Sequence, residues 1–288
     1  MPSLKEVKNR ISSVNSTRKI TSAMKMVASA KLHGAQRAIE SMRPYETRLG
    51  GIMATFIGAM EGEISSPFAV KRDVRRVALV VYTSNSSLCG AYNSNVIREF
   101  QHIVDHYREA GVEIVRVVAF GKKGADAVRK MGFDVPDLSH CMDHPSYEKA
   151  AAIAQELMQQ YAAGELDRVE MLYHHFVSTG KQVLTQEDFL PVDLSATTSE
   201  DDSRRSDYII EPSREEIIED LIPKALHLKL FTALLDSLAS EHAARVIAMQ
   251  MATDNADDLL RQLTLQYNKS RQYAITAELL DIAGGQQD

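Results

Sequence analysis

Residues 213–282 read SREEIIEDLIPKALHLKLFTALLDSLASEHAARVIAMQMATDNADDLLRQLTLQYNKSRQYAITAELLDI, with no glycine, and this run decides the fold. Its pattern is helical from about Ser213 to Ile282. At a rise of 1.5 Å per residue such a helix spans roughly 100 Å, against about three turns for an average globular helix. Pro223 lies near its start as a candidate kink, and Gly284-Gly285 reads as the stop. No ordinary core covers a helix of that length, so it needs a partner along its length.

The expected partner lies at the other end of the chain, from Leu4 to about Phe56. Steps of three and four from Leu4 give Val7, Ile11, Val14, Arg18, Thr21, Lys25, Ala28, Leu32, Ala35, Ile39, Met42, Glu46, Leu49, Met53 and Phe56, a narrow coiled-coil seam. The C-terminal run repeats it through Ile217, Leu221, Leu228, Phe231, Leu235, Leu238, Met249, Ala252, Ala256, Leu259, Leu263, Tyr273, Ala277 and Leu280. Arg18, Thr21 and Lys25 interrupt one seam, and His242 and Arg245 the other, as polar positions that set register or meet a second partner. Residues 1–57 carry 10 Lys/Arg against 3 Asp/Glu, while 213–288 carry 7 against 12, so the net charge of −6 conceals two oppositely charged helices.

The 288 residues allow one large or two ordinary domains. No stretch approaches the roughly twenty apolar residues of a membrane span, and the N-terminus lacks the apolar block of a signal peptide. Cys89 and Cys141 are too few for a disulfide framework, which favours a reducing compartment.

Between the terminal helices the period changes. Arg75–Thr83 is a buried-strand run that ends in Ser84-Asn85-Ser86-Ser87. A helix over Tyr92–Ala110, a strand over Glu113–Phe120, the turn Gly121-Lys122-Lys123-Gly124 and a helix over Ala125–Met131 follow. After a polar loop come a helix over Tyr147–Ala163 and strands over Arg168–Val177 and Gln182–Pro191. This alternation predicts a mainly parallel sheet with helices on both faces, its last strand pair antiparallel because the link is too short for a crossover. Residues 195–206 read as a polar loop. The fold class is α/β: a long antiparallel coiled coil of the N- and C-terminal helices with an inserted Rossmann-like α/β sheet domain. The expected boundaries are 1–60 for the N-terminal helix, 61–212 for the sheet domain and 213–288 for the C-terminal helix.

Such a sheet invites a nucleotide-binding reading, yet the first strand-to-helix turn has one glycine, Gly90, and no phosphate-loop Lys-Ser/Thr. His140, Cys141, Asp143 and His144 are rich in ligand types but have no matching set elsewhere. His174 and His175 alternate on a strand and point to opposite faces. Cys89 has no local base. No catalytic, cofactor or metal site is expected. The distinctive chemistry lies instead at Ile20–Leu32, where small side chains and flexible thioethers surround a basic stripe, a surface suited to close and sliding contacts.

That segment, Leu88-Cys89-Gly90 with Asn93, and the C-terminal series Ser240-Glu241, Ala244-Arg245, Ala248-Met249, Ala252-Thr253-Asp254-Asn255-Ala256, Tyr267-Asn268-Lys269, Arg271-Gln272, Ile275-Thr276 and Glu278-Leu279 together resemble the gamma subunits of the rotary ATP synthase, end to end and in order. The resemblance implies a non-catalytic rotor shaft that couples c-ring rotation, driven by proton flow, to ATP synthesis or hydrolysis at the alpha/beta ring. It implies alpha, beta, epsilon and c-ring partners, no nucleic acid, no cofactor, and a peripheral position on the cytoplasmic side of a bacterial inner membrane. Residue by residue, Met24 and Lys25 resemble positions facing the acidic lever of beta, and Arg271 and Gln272 those at its catch loop. Cys89 falls in a turn the family places near beta. Arg245, Thr276 and Glu278 resemble positions that tune coupling, and Tyr208 and Glu211 positions reaching the c ring and epsilon. Asn85-Ser86-Ser87 stands where many relatives carry Asp-Arg-Gly, and the chloroplast type's regulatory cysteine pair is missing, which argues against thiol switching. Two rivals, a nucleic-acid or membrane-surface binder using the basic helix and a nucleotide-using enzyme built on the sheet, both leave the acidic C-terminal helix unexplained.

Overall fold

A computed structural model describes residues 3–58, 66–192 and 214–284. The elements are α1 (Leu4–Gly58), β1 (Arg76–Tyr82), α2 (Tyr92–Glu109), β2 (Glu113–Phe120), α3 (Lys122–Lys130), α4 (Ser139–Asp143), α5 (Tyr147–Ala162), β3 (Arg168–Ser178), β4 (Lys181–Leu190) and α6 (Arg214–Gly284). They form two compact units: a coil of Met1–Ala30 with Arg245–Asp288, and a body of Lys31–Ala244. Each long helix contributes to both.

In the body the strand order is β2-β1-β3-β4. β1 pairs in parallel with β2 and β3, while β3 and β4 form the expected antiparallel pair. The alternation of β1 sorts the core into two layers. Val77, Leu79 and Val81 meet Val96, Phe100 and Val104 of α2 and Ala125 and Val128 of α3. Ala78, Val80 and Tyr82 face Ala154, Leu157 and Tyr161 of α5, Leu226 and Leu230 of α6, and Leu49 and Met53 of α1. The sheet is thus covered on both faces, which is why β1 reads as a continuous apolar run.

Two local features differ from the sequence reading. Helix α3 starts at Lys122 rather than Ala125, because Gly121 adopts φ +90° and makes the turn itself. A side chain there would sit 2.1 Å from the Thr83 carbonyl oxygen, so only glycine lets the strand end and the helix start come this close. The stretch read as a polar loop holds α4, which buries Cys141 and Met142. As the helical pattern predicts, α6 runs through Pro223. Ile222 and Leu226 are buried in the core at that point, so packing offsets the hydrogen bond that proline removes.

One carboxylate organises the start of the sheet. Asp167 accepts hydrogen bonds from the backbone N–H groups of Arg76 (2.9 Å) and Arg75 (3.1 Å) and from the Arg76 guanidinium (3.3 Å). Burial pushes its pKa up, but those donors outweigh burial and hold it below the usual carboxylate range.

Candidate functional site

In the coil the two helices run antiparallel, and their polar seam positions pair across it. Arg18 Nη1 donates to Asp257 Oδ1 at 3.0 Å, the Thr21 and Thr253 hydroxyls lie 2.8 Å apart, and Lys25 Nζ donates to Gln250 Oε1 at 2.5 Å. Val7, Ala28, Met249, Ala256 and Leu263 bury the apolar positions. Directional pairs at successive turns fix register in a way that methyl groups alone do not. The opposite charges of the two helices meet in the Arg18–Asp257 pair.

This register has an end. Partner pairs drawn from residues 18, 21 and 25 with 257, 253 and 250 place Leu4, the first residue of α1, opposite about residue 271. Beyond it α6 continues to Gly284 with Tyr273, Ile275, Leu279, Leu280 and Ile282 exposed. The expected seam positions Tyr273, Ala277 and Leu280 are all exposed. Leu259 is likewise exposed, while its expected seam neighbours Ala256 and Leu263 are buried. Ile20, Met26 and Val27 add apolar surface on α1, each more than half exposed.

The other singled-out residues fall into distinct environments. Met24 and Lys25 are half-buried, the latter engaged with Gln250. Arg271, Gln272, Thr276 and Glu278 are exposed on the last turns of α6, where the Thr276 hydroxyl returns to the Gln272 carbonyl at 2.9 Å. Arg245 is buried. Tyr208 and Glu211, and the loop at 195–206, lie outside the described residues.

In the body, Cys89 is buried inside the β1–α2 turn, where Asn93 Nδ2 reaches its sulfur at 3.2 Å and Ser84 Oγ lies 3.7 Å away. The large apolar side chain the turn exposes is Leu88, held at φ +69° and 60% exposed. A β-carbon-bearing residue in that backbone region is uncommon, and an exposed leucine gains no burial to offset it. Asn85 ties the turn down from both ends of its amide: Nδ2 donates to the Ser139 carbonyl at 2.8 Å and Oδ1 accepts from Lys122 N at 3.0 Å. An aspartate in its place could accept but not donate.

The first N–H groups of α3 are already satisfied: Lys122 by Asn85 Oδ1, Lys123 by the Ser84 carbonyl at 3.0 Å, and Gly124 by Thr83 Oγ1 at 2.7 Å. These are the donors an anion would use. His140 and Cys141 touch at 3.4 Å, but no group of three or more His, Cys, Asp and Glu side chains among the described residues is arranged to hold a metal ion. His174 is buried and His175 exposed, the opposite facing expected of neighbours on a strand. Sequence reasoning missed Leu88, whose left-handed backbone carries no local signal. Ile20, Met26 and Val27 lie within the Ile20–Leu32 stretch singled out in the sequence, and they face outward off the seam.

The fold and these surfaces define a class: an antiparallel helical coil with outward apolar side chains, joined by continuous helices to a covered α/β sheet. The sequence model of the family described as ATP synthase matches residues 3–287. The ATP synthase gamma chain of Phocaeicola vulgatus is 58% identical over 287 residues, covering 99% of each chain, and that of Bacteroides thetaiotaomicron is 53% identical over 296 residues, again covering 99% of each. A chain in the cryo-EM structure of Euglena gracilis mitochondrial ATP synthase (OSCP/F1/c-ring) shares the fold with a TM-score of 0.65 at 21% identity, over 98% of this chain and 93% of that one. The chain belongs to the ATP synthase gamma-chain family.

Proposed function

We propose that this chain is the central rotor shaft of an F-type ATP synthase, coupling rotation of a membrane c ring to ATP synthesis or hydrolysis at an alpha/beta ring and regulating ATPase activity and ion flow. The observation that carries the reading is the family match along the whole chain. The coil's geometry suits it: paired helices transmit torque, and the outward apolar side chains meet successive partners without a strong charge pair to any one. The chain itself does no bond chemistry; the complex supplies it.

In this reading residues 1–60 and 213–288 act as the shaft and 61–212 as the foot, against epsilon and the c ring. Met24, Lys25, Arg271 and Gln272 meet beta, as does the turn of Cys89 through its exposed neighbour Leu88. Arg245, Thr276 and Glu278 tune coupling, Arg245 from a buried position, and Tyr208 and Glu211 reach the c ring and epsilon. The chain is peripheral, on the cytoplasmic side of a bacterial inner membrane, and none of its described helices is long and apolar enough to cross a membrane.

Co-expression with alpha and beta subunits tests the reading. The expected result is one copy of this chain per six ring subunits by size-exclusion mass, with no ATPase activity alone and full activity only in the complex. A chain that stays out of the ring, or hydrolyses ATP by itself, overturns it.

A further inference from the structure

Within the body, the section of α6 at residues 229–240 is held to the sheet by directional bonds as well as by apolar packing. Tyr82 Oη donates to the Leu230 carbonyl and Tyr92 Oη to the Ser237 carbonyl, each at 3.1 Å. Ser240 Oγ donates to the His174 carbonyl at 3.1 Å, His175 Nδ1 meets Asp236 Oδ2 at 2.5 Å, and Lys229 Nζ donates to the Asp188 carbonyl at 2.6 Å. The helix positions repeat at seven, with 229 and 230 followed by 236 and 237, so the bonds fall on one stripe two turns long. Their partners come from β1, α2, β3 and β4.

The helical carbonyls of Leu230 and Ser237 already lie within the N–H ladder of α6, so the tyrosine bonds are additions the helix itself does not require. The interface also keeps polar groups at a cost. The His174 imidazole stacks on Tyr92 at 4.5 Å with its Nδ1 buried and without a hydrogen-bond partner, and the Ser237 hydroxyl is buried beside the Tyr92 phenol. An interface selected for cohesion alone would replace such groups by methyls. Apolar packing resists separation of helix and sheet but is nearly indifferent to a small roll of the helix about its axis. Hydrogen bonds to fixed carbonyls are not, because they weaken steeply with angle.

We infer that this stripe is a torque-bearing joint, with Tyr92 and Ser240 as positioning residues that fix the azimuth of α6 on the sheet. The inference rests on the central-shaft reading above. It assigns these hydroxyls a mechanical role: they stiffen the joint against twist more than they stabilise the fold.

The test uses the assembled complex with its alpha/beta ring immobilised and a gold particle on the foot of this chain. Angular variance is recorded while the rotor waits between steps. In the double variant Tyr92→Phe with Ser240→Ala the variance is expected to rise by about twofold, with the melting temperature of the chain lowered by only a few degrees. Thr232→Ala, which removes a hydroxyl bonded only to its own helix at the Leu228 carbonyl, is the control and should leave the variance as it is. Ser240→Ala alone gives the same reading should Tyr92→Phe fail to assemble. Unchanged variance in an assembled, rotating complex overturns the joint and leaves the shaft reading standing. A natural chain that assembles but never rotates overturns the shaft reading itself.

Discussion

The coil and the body spend their apolar side chains differently. Of the eighteen large apolar side chains exposed among the described residues, twelve lie in the coil, whose fully buried apolar residues number five. The body buries its own on both faces of the sheet. A unit that exposes more large apolar surface than it buries is finished by something outside itself, whereas the body is complete in its own core. The difference teaches where stability and where function should respond to substitution, and the following changes are chosen to break that division.

The largest effect is expected in the body. Phe120 is fully buried and stacks on Tyr82 at 4.7 Å, so Phe120→Ala should cost about 3–5 kcal/mol, a large share of what holds a domain folded. Truncating Leu265 in the coil, 71% exposed, should cost within about 0.5 kcal/mol. Thermal or denaturant melts of the two variants check the pair, and comparable losses would erase the distinction.

Acid should separate the units next. Burial holds His174 down to about 4 from its ordinary 6.5. The unfolded chain takes up that proton near 6.5 and the folded chain only near 4, so the contribution is complete above 6.5 and is lost as pH falls toward 4, by about 3 kcal/mol in all. Beside it lie Tyr92 of α2, whose ring stacks on the imidazole and whose phenol burial keeps protonated, and Ser240 of α6, bonded to the His174 carbonyl; Asp236 of α6 pairs with His175, the next residue on the strand. His174→Phe should flatten the stability of the body between pH 6.5 and 4 in equilibrium unfolding. The coil contains no histidine and should show no such step. Asp167 acts in a lower window: with its pKa held down in the fold, its contribution is present above about 3.9 and fades as pH falls below that.

A smaller effect is expected at the coil's cross-helix ion pair. Both Arg18 and Asp257 side chains are more than a third exposed, so solvent screens them and Asp257→Ala should cost at most about 1 kcal/mol. The loss should shrink further at 1 M salt, where the Debye length is about 3 Å. Salt-independent loss would mean that Asp257 holds register by hydrogen bonding rather than by charge.

Much of this architecture is legible in the sequence because its signals are periodic. The β-branched run of β1 and the three-four stepping of α1 and α6 identify strand and seam, and the short link at Thr179-Gly180 makes the last strand pair antiparallel. Other features leave no periodic trace. The α3 start depends on Gly121 passing against the Thr83 carbonyl, a contact between segments some forty residues apart. Cys89 is the residue the resemblance singles out in its turn, yet the backbone at Leu88 turns the thiol inward and the leucine out. The seam reads on through Tyr273, Ala277 and Leu280 because periodicity reports which face of a helix is apolar and not what covers it. The start of α1 decides that, and it lies some 270 residues away in the chain.

That uncovered end supplies the smallest expected effect on stability and the sharpest contrast. Leu279 and Leu280 are 61% and 67% exposed, beyond the reach of α1, so Leu279→Ser with Leu280→Ser removes little buried area and should leave the melt of the isolated chain within about 0.5 kcal/mol of the parent. If the coil is completed by a surrounding ring, the same pair loses its apolar contact there. ATP-driven proton pumping per ATP hydrolysed should then fall in the assembled complex while the chain alone appears unaltered. Unimpaired pumping would mean that the last turns of α6 stay uncovered even in the assembly, and that coupling is carried by the stretch where the two helices remain paired.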